Sequence, residues 1–494
     1  SDVCSSDLAY HQLVRLFHRA SPKELSLEID AMSEAMGQDP ILLKRGLSLP
    51  DTGVFLHGLG SYSIFSFLPP VGCTSVAAKN SSGGFSYGRN LDFAGVGSWD
   101  RHPMLYVAHP EAGSKELKHL IIGADGLLFG GITGVNEAGI TFAVHQNYSR
   151  DISLTGVPMV LIGEMVLRYA HDLQEAEEIL KKHRPANLWT FVITDLKKGE
   201  ARAVESSSRH FLTRVWDGNV FAQTNHAMNE KSREWENSSG GFEANSVFRM
   251  EQAQKILRES ALRGKSELVK ALSYQSNASG EMEAYHDILK SETIQTVLFE
   301  ASPEGDLSLA LSAEEAPAPS GQYAEFRLSS LWDGNGSEWI ARDFAKLSPE
   351  ARIRQRTAAM AYRFYFDENK IAEAASLMAS QKTLAAFLFR SVAMAEMGRF
   401  DDALRLASEA LRDPRHIGEP SHIRESLERV RLVSLIKMGK VQEARESAQA
   451  WAGQKSLSPL HEMANLLREH RSIPERLMFL HFDFVSGDLS GRKD

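Results

Sequence analysis

The chain has 494 residues, 43% hydrophobic and 24% charged, with a formal net charge of −9. That length exceeds one ordinary core and predicts two or three domains. The acidic balance, with no Lys/Arg cluster, argues against nucleic acid as a partner, and no apolar run reaches the roughly 18 residues needed to span a bilayer.

The first elements come with a warning. Asp2-Val3-Cys4-Ser5-Ser6-Asp7-Leu8 reads like a translated sequencing adapter, so residues 1–8 are expected to be a read-through artefact. A genomic read carrying these codons in frame after an ordinary start would remove that expectation. On this reading Cys73 is the one genuine cysteine of the two, and the sequence says nothing about a targeting segment or location. Residues 9–50 read as helical. His11-Gln12-Leu13-Val14-Arg15-Leu16-Phe17 is amphipathic, and Ser21-Pro22-Lys23-Glu24 opens a helix as a capping box with Pro at the first helical position.

From about 52 to 330 the chain is rich in short β-type runs: Ser75–Ala78, Leu120–Ile122, Ile140–Val144, Phe191–Thr194 and Thr296–Phe299. Turn residues separate them, as in Asp195-Leu196-Lys197-Lys198-Gly199 and Asp217-Gly218-Asn219, which predicts hairpins. Two helical stretches interrupt, 158–182 and 246–272. Strand runs with a few helices predict an α+β layered domain. Glu314–Gly321 is a turn-rich break, Tyr323–Leu328 reads as one more strand, and the domain boundary is expected near 340.

Beyond it, Ala, Leu, Arg and Glu recur at helical spacing. Met397-Gly398-Arg399-Phe400-Asp401-Asp402-Ala403 resembles the turn of a tetratricopeptide repeat. Met438–Ala444 repeats it, and Glu368–Ala374 is a poorer copy. In each an Ala follows five residues after Gly398, Gly439 or Asn369, where a left-handed turn would let two helices close on a small side chain. The organisation is therefore read as an N-terminal helical segment over 9–72, a layered domain over 73–340, and tetratricopeptide-like repeats over 341–494.

The chemistry concentrates around Gly72-Cys73-Thr74-Ser75 and Tyr87-Gly88-Arg89-Asn90-Leu91-Asp92. Gly72 has no side chain, so its carbonyl can be approached closely. Cys73 enters a β run, and a hairpin through Ser81-Ser82-Gly83-Gly84 would return Arg89 and Asp92 beside it. An Arg beside a thiol favours the thiolate, and an Asp could hold an amine. His461-Glu462-Met463-Ala464-Asn465 has Asn where a zinc helix needs its second His, so no metal site is read there. No Gly-rich phosphate loop is followed by Lys and Ser/Thr.

This pattern resembles the N-terminal-nucleophile hydrolases of the choloylglycine hydrolase and penicillin V acylase group, and most of all the self-cleaving isopenicillin-N acyltransferase family. Arg89 and Asp92 fall sixteen and nineteen positions after Cys73, as in that group. Ala222-Gln223-Thr224-Asn225-His226 is similar to its strand-ending Asn, and Ser246-Val247-Phe248-Arg249 to its Ser-x-x-Arg helix start. The resemblance covers roughly residues 52–330. It implies a four-layer αββα sandwich and cleavage between Gly72 and Cys73. Cys73 would then be nucleophile, with its own α-amine as base. Arg89 and Asp92 would orient thiol and amine, and Asn225 would donate to the oxyanion. Asn147 is the candidate second donor and Arg249 a further site residue. No cofactor is implied, and the substrate class is an N-acyl amide. Because 72 residues precede Cys73, removal of an initiator Met cannot expose it, so self-cleavage or a protease is required. The competing reading is a protein-binding module built on the repeats, carrying an inactive hydrolase-like domain. A papain-like protease would need a His partner and a helical Cys, which the β context of Cys73 opposes.

Overall fold

The computed structural model describes residues 2–58, 71–81, 83–93, 101–124, 131–216, 218–238, 240–276, 287–313, 316–334, 338–416, 421–453 and 459–480. Ser82 of the expected hairpin turn, Asp217 of another and Glu314-Glu315 of the expected break lie outside the described residues.

Four helices come first: α1 (Asp2–His18), α2 (Lys23–Ala35), α3 (Pro40–Leu47) and α4 (Leu49–Gly58). A run of strands follows: β1 (Val71–Lys79), β2 (Phe85–Phe93), β3 (Pro103–Ala108), β4 (His119–Ala124), β5 (Thr133–Asn136) and β6 (Ile140–Gln146). Helices α5 (Met159–Tyr169) and α6 (Leu173–Lys182) replace the single helical stretch expected over 158–182. Asp172 breaks it by capping α6, its carboxylate accepting from the amides of Gln174 and Glu175. Next come β7 (Trp189–Asp195), β8 (Glu200–Ser206), β9 (Phe211–Val215), β10 (Val220–Gln223) and the short α7 (Glu230–Arg233). Helix α8 (Gly240–Glu259) starts earlier than the sequence suggested and is separate from α9 (Lys265–Leu272). Strands β11 (Thr293–Ala301), β12 (Leu307–Ser312) and β13 (Tyr323–Arg327), then α10 (Leu328–Trp332) and β14 (Ile340–Arg342), complete the layered part.

Among the described residues all strand pairings are antiparallel. One seven-stranded sheet has the order β10-β1-β2-β11-β12-β13-β14, and the other runs β3 through β9 in sequence order. Successive residues of a strand face opposite sides, and the core divides accordingly. Ala77, Tyr87, Val297 and Phe299 of the first sheet meet Leu120, Val135, Ala143 and Val192 of the second. Their neighbours Val76, Ala78 and Leu298 pack outward on Ala253, Leu257, Leu268 and Leu272 of α8 and α9. On the far side, Phe142, Val144, Phe191 and Ile193 pack on α5 and α6. The layers are helix, sheet, sheet, helix, so the α+β sandwich is present.

The N-terminal helices join the α5–α6 layer. Leu25, Ile29, Leu47 and Val54 belong to the same core as Val160, Leu161, Val166 and Trp189. Polar ties reinforce the contact. Arg168 of α5 grips both carboxylate oxygens of Glu28 at 2.6 and 2.7 Å, and is itself held by buried Glu164 at 2.8 Å. Asp51 of α4 is fully buried, accepting from Met159 N at 3.0 Å and Trp189 Nε1 at 3.1 Å.

The remaining chain is helical: α11 (Pro349–Phe366), α12 (Ile371–Leu377), α13 (Leu384–Glu396), α14 (Phe400–Arg412), α15 (Ser421–Lys437), α16 (Val441–Ala448), α17 (Pro459–Arg468) and α18 (Glu475–Met478). It has its own core, running from Ala358 to Leu480. Asn369, Gly398 and Gly439 have φ of 52°, 74° and 76° and turn the chain between α11 and α12, α13 and α14, and α15 and α16. Ala374, Ala403 and Ala444, five residues on, are all fully buried, as the small-residue argument requires.

Candidate active site

The site forms where β1 and β2 run side by side. Their register sets Gly72 opposite Asp92, Cys73 opposite Leu91 and Ser75 opposite Arg89. Strand alternation then divides the groups between two faces. Cys73 points between the sheets with Leu91 and Ile294, beside Phe93 and Ile132. Arg89 reaches it on the same face: Nη2 donates to Cys73 Sγ at 3.1 Å. The guanidinium is fixed there by Ile132 O at 2.9 Å, the Thr133 hydroxyl, and Val144 O at 2.5 Å, all on the second sheet or just before it. A planar fork with several acceptors is a rigid way to place a cation on sulfur. Burial pushes the Cys73 thiol up, Arg89 pulls it back down, and Asp92 raises it.

The backbone of Cys73 is handled from the other side. Its N–H donates to Asn225 Oδ1 at 2.8 Å, and its carbonyl accepts from Arg249 Nη1 at 2.7 Å. Arg249 also donates to Thr74 Oγ1 at 2.8 Å and to Asn225 Oδ1 at 2.9 Å, while its Nε is held by Asn245 at 2.9 Å. Asn225 Nδ2 donates to Gln146 O at 3.1 Å. An amide nitrogen carries two hydrogens, so this bond uses one of them. The turn carrying Asn225 is pinned by Ser246 at 2.8 Å to its N–H, and Ser246 also meets His226 Nδ1 at 2.8 Å. Asp92 Oδ1 accepts from Thr293 Oγ1 at 2.7 Å, and Oδ2 has no hydrogen-bond partner among the described residues. A Cβ on Gly72 would lie 2.8 Å from that oxygen, so the glycine is what lets the carboxylate sit against the bond before Cys73. Burial raises the Asp92 carboxyl, opposed by Arg249 and the Thr293 hydrogen bond.

Cys73, Arg89, Asp92, Asn225 and Arg249 therefore converge. Asn147 is buried on the segment after β6; its Oδ1 accepts from Thr190 Oγ1 at 2.7 Å and its Nδ2 has no hydrogen-bond partner among the described residues. His145 is buried too, its Nε2 2.8 Å from Ser75 Oγ, which also meets Tyr87 OH at 2.8 Å. Burial first, then Arg89 and Arg249, hold its pKa well below the usual histidine range, so it is a neutral tie between the sheets. The polar stretch 229–245 contains α7 and the start of α8. It packs on the Asn147 neighbourhood through Asn237 N to Tyr148 O at 2.8 Å and the Tyr148–Phe242 ring contact at 5.0 Å.

Sequence reasoning missed Asp287, Lys290, Glu292 and Thr293. All four are buried. Burial lowers Lys290 and raises Glu292, and the charges of Asp92 and Arg249 act on both. Their only signal is a polar run just before a β-type run. Among the described residues no group of His, Cys, Asp and Glu suits a metal ion, and no helix is long and apolar enough to cross a membrane.

Residues 77–309 match the family model of the acyl-coenzyme A:6-aminopenicillanic acid acyl-transferases. This match and the sandwich support the N-terminal-nucleophile superfamily and an acyl-amide hydrolase or acyltransferase in general. The matched stretch begins after Cys73. No curated protein matches the sequence. Among solved structures, a Caenorhabditis elegans N-acylethanolamine-hydrolyzing acid amidase ortholog is 16% identical, covering 47% of this chain and 93% of its own, with a TM-score of 0.33. A variant of the Clostridium perfringens conjugated bile acid hydrolase is 13% identical, covering 56% and 98%, with a TM-score of 0.36. The Agrobacterium tumefaciens penicillin V acylase is 12% identical, covering 53% and 87%, with a TM-score of 0.33.

Proposed function

We propose that the chain is a self-processing cysteine enzyme that hydrolyses or transfers the acyl group of an N-acyl amide. The observation that carries this is the double hold on Cys73: Arg89 at 3.1 Å from the sulfur and Asn225 at 2.8 Å from the nitrogen. In maturation Sγ attacks the Gly72 carbonyl carbon. The C–N bond breaks, the thiol proton passes to the Cys73 nitrogen, and a thioester links Gly72 to sulfur. Water then cleaves the thioester, leaving a Gly72 carboxylate and a free Cys73 amine and thiol. That amine, with an unperturbed pKa of about 7.7–8.0, serves as base for the thiol. The thiolate attacks the substrate carbonyl, the amine product leaves with the proton, and the acyl-enzyme passes its acyl group to water or to a second amine. Arg89 favours the thiolate, Asp92 holds the new ammonium, and Asn225 donates to the oxyanion with Asn147 as second donor. Arg249 holds Asn225 and the Cys73 carbonyl.

In this reading residues 9–72 remain bound after cleavage as a small subunit, 73–340 are the catalytic domain, and 341–494 are tetratricopeptide-like hairpins that dock a protein partner. The buried anchoring of Asp51 and the Arg168 grip on Glu28 support retention of the first segment.

Intact mass of the purified chain beside Cys73→Ala tests the reading. A wild type that splits between Gly72 and Cys73 while the variant stays whole is the expected result. A wild type that stays whole and turns over no N-acyl amide, even after a protease exposes Cys73, would overturn it in favour of a binding module.

A further inference from the structure

A buried polar segment outside the Cys73 constellation touches it at one point. Thr293 opens β11 and pairs with Asp92, whereas Gln295 pairs with Leu91, so the register slips by one residue between them. The irregularity has a use. Ile294 turns inward to the Cys73 cluster, and Thr293 stays on the outer face beside Asp92. Thr293 Oγ1 lies 3.0 Å from Lys290 N and 2.7 Å from Asp92 Oδ1. A backbone N–H can only donate, so it occupies a lone pair of the hydroxyl and frees the hydroxyl hydrogen for the carboxylate. Asp92 is thereby held by one oxygen, with Oδ2 left against Gly72.

The segment carrying Thr293 is anchored in turn. Asp287 Oδ1 accepts from Ser276 N at 2.8 Å and Ser276 Oγ at 3.0 Å, and Oδ2 accepts from Gln275 Nε2 at 3.4 Å. Gln275 Oε1 accepts from Gln355 Nε2, and Gln355 Oε1 accepts from the Ser320 hydroxyl. Gln355 belongs to α11, the first helix of the helical module, and is 3% exposed. A buried amide bonded at both ends to the layered domain is a demanding contact, because losing either partner strands a polar group.

We propose that Thr293 is a positioning residue for Asp92, and that helix α11 holds the segment bearing Thr293 through Gln355. The helical module then supports the catalytic geometry. This rests on the acylase reading for its consequence, not for its geometry.

The test follows the self-cleavage rate against pH in Thr293→Val, Thr293→Ser, Gln355→Leu and the Thr293→Val/Gln355→Leu double variant. Thr293→Val should slow cleavage about 10- to 100-fold, the range for losing a hydrogen bond to a charged group. It should also move the acid limb to higher pH, because a carboxylate without its donor ionises later. Thr293→Ser should restore both. Gln355→Leu should shift the limb the same way by less, and the double variant should fall short of the product of the two effects. A wild-type limb in Thr293→Val, a Thr293→Ser as impaired as Thr293→Val, or effects that simply multiply would each overturn the proposal. Melting temperature against pH, compared with Asp92→Asn, reads Asp92 ionisation even in a chain that does not cut itself. A wild type that never cuts and turns over no N-acyl amide once a protease exposes Cys73 sinks the acylase reading alone. A Thr293→Val chain whose Asp92 ionises where the wild type's does sinks this one.

Discussion

The buried carboxyl of Asp51 makes docking of the N-terminal segment depend on pH. Burial pushes it from the ordinary 3.8 up to about 7, against the hydrogen bonds from Met159 N and Trp189 Nε1. A raised acid binds its proton more tightly in the folded state. Its stabilising contribution is complete below the unfolded pKa and is lost as pH rises through about 7. The gap between 3.8 and about 7 corresponds to about 4 kcal/mol over the whole range, of which about 2–3 kcal/mol falls between about pH 5 and about pH 8. Hydrogen exchange of the peptide covering 49–58 measures the local opening directly, in Cys73→Ala chains with and without Asp51→Asn. The chain that keeps Asp51 should lose on the order of 100-fold more protection across that pH range than the chain carrying Asp51→Asn, since about 1.4 kcal/mol is tenfold. Glu292, also raised, is present in both chains and cancels in the comparison. Equal pH dependence in the two chains would refute the reasoning.

Four further outcomes follow from the geometry. Asn225→Ala removes the acceptor of Cys73 N and of Arg249 Nη2, and should slow self-cleavage about 100- to 1,000-fold in a mass-spectrometric time course. Arg89→Lys keeps the charge but cannot serve Ile132 O, the Thr133 hydroxyl, Val144 O and sulfur together; thiol alkylation against pH should show a higher Cys73 pKa, and an unchanged profile would contradict the role given to the fork. Gly72→Ala sets a methyl 2.8 Å from Asp92 Oδ2, which Thr293 keeps from swinging away, so cleavage should slow and the melting temperature should fall; a wild-type rate and melting temperature would contradict the close approach. His461 is 3% exposed and neither ring nitrogen has a hydrogen-bond partner among the described residues, so His461→Leu should raise the melting temperature of the helical module by removing a penalty of about 1–3 kcal/mol; a lower value would count against it.

What the sequence disclosed depended on distance along the chain. Cys73, Arg89 and Asp92 share one hairpin, so a turn at 81–84 and period-2 alternation suffice to bring them together. Asn225 and Arg249 are far from Cys73 in sequence and were reached only through motif resemblance; their meeting needs β10 to pair with β1 and α8 to lie over it. Thr293 was invisible because its partner lies 201 residues earlier and a slip of register decides which way it points. Asp51 reads as an ordinary acidic residue in a first helical turn, and nothing local says that Trp189 and Met159 will close over it. Asp172 was legible after the fact: an Asp before a helical run is a capping signal, and it divides the stretch read as one helix. The left-handed turns at Asn369, Gly398 and Gly439 were legible because φ > 0 restricts residue choice.

The division of the site between two faces of β1 has a chemical consequence. The proposed self-cleavage would ask that one residue be both attacking atom and leaving group, since Sγ would attack and the nitrogen of the same Cys73 would depart. An α-carbon in an extended strand separates those two atoms to opposite handling. Arg89, anchored on the second sheet, meets the sulfur between the layers, while Asn225, Arg249 and Asp92 meet the backbone from the helix side. A cation on the sulfur side favours the thiolate that attacks. An acceptor and a carboxylate on the other side suit a nitrogen that leaves as an amine and stays as an ammonium. The interior of a helix could not do this, because its backbone N–H groups are bonded within the helix; a strand position whose amide is bound by a side chain, as Asn225 binds Cys73, leaves that nitrogen free to change its bonding.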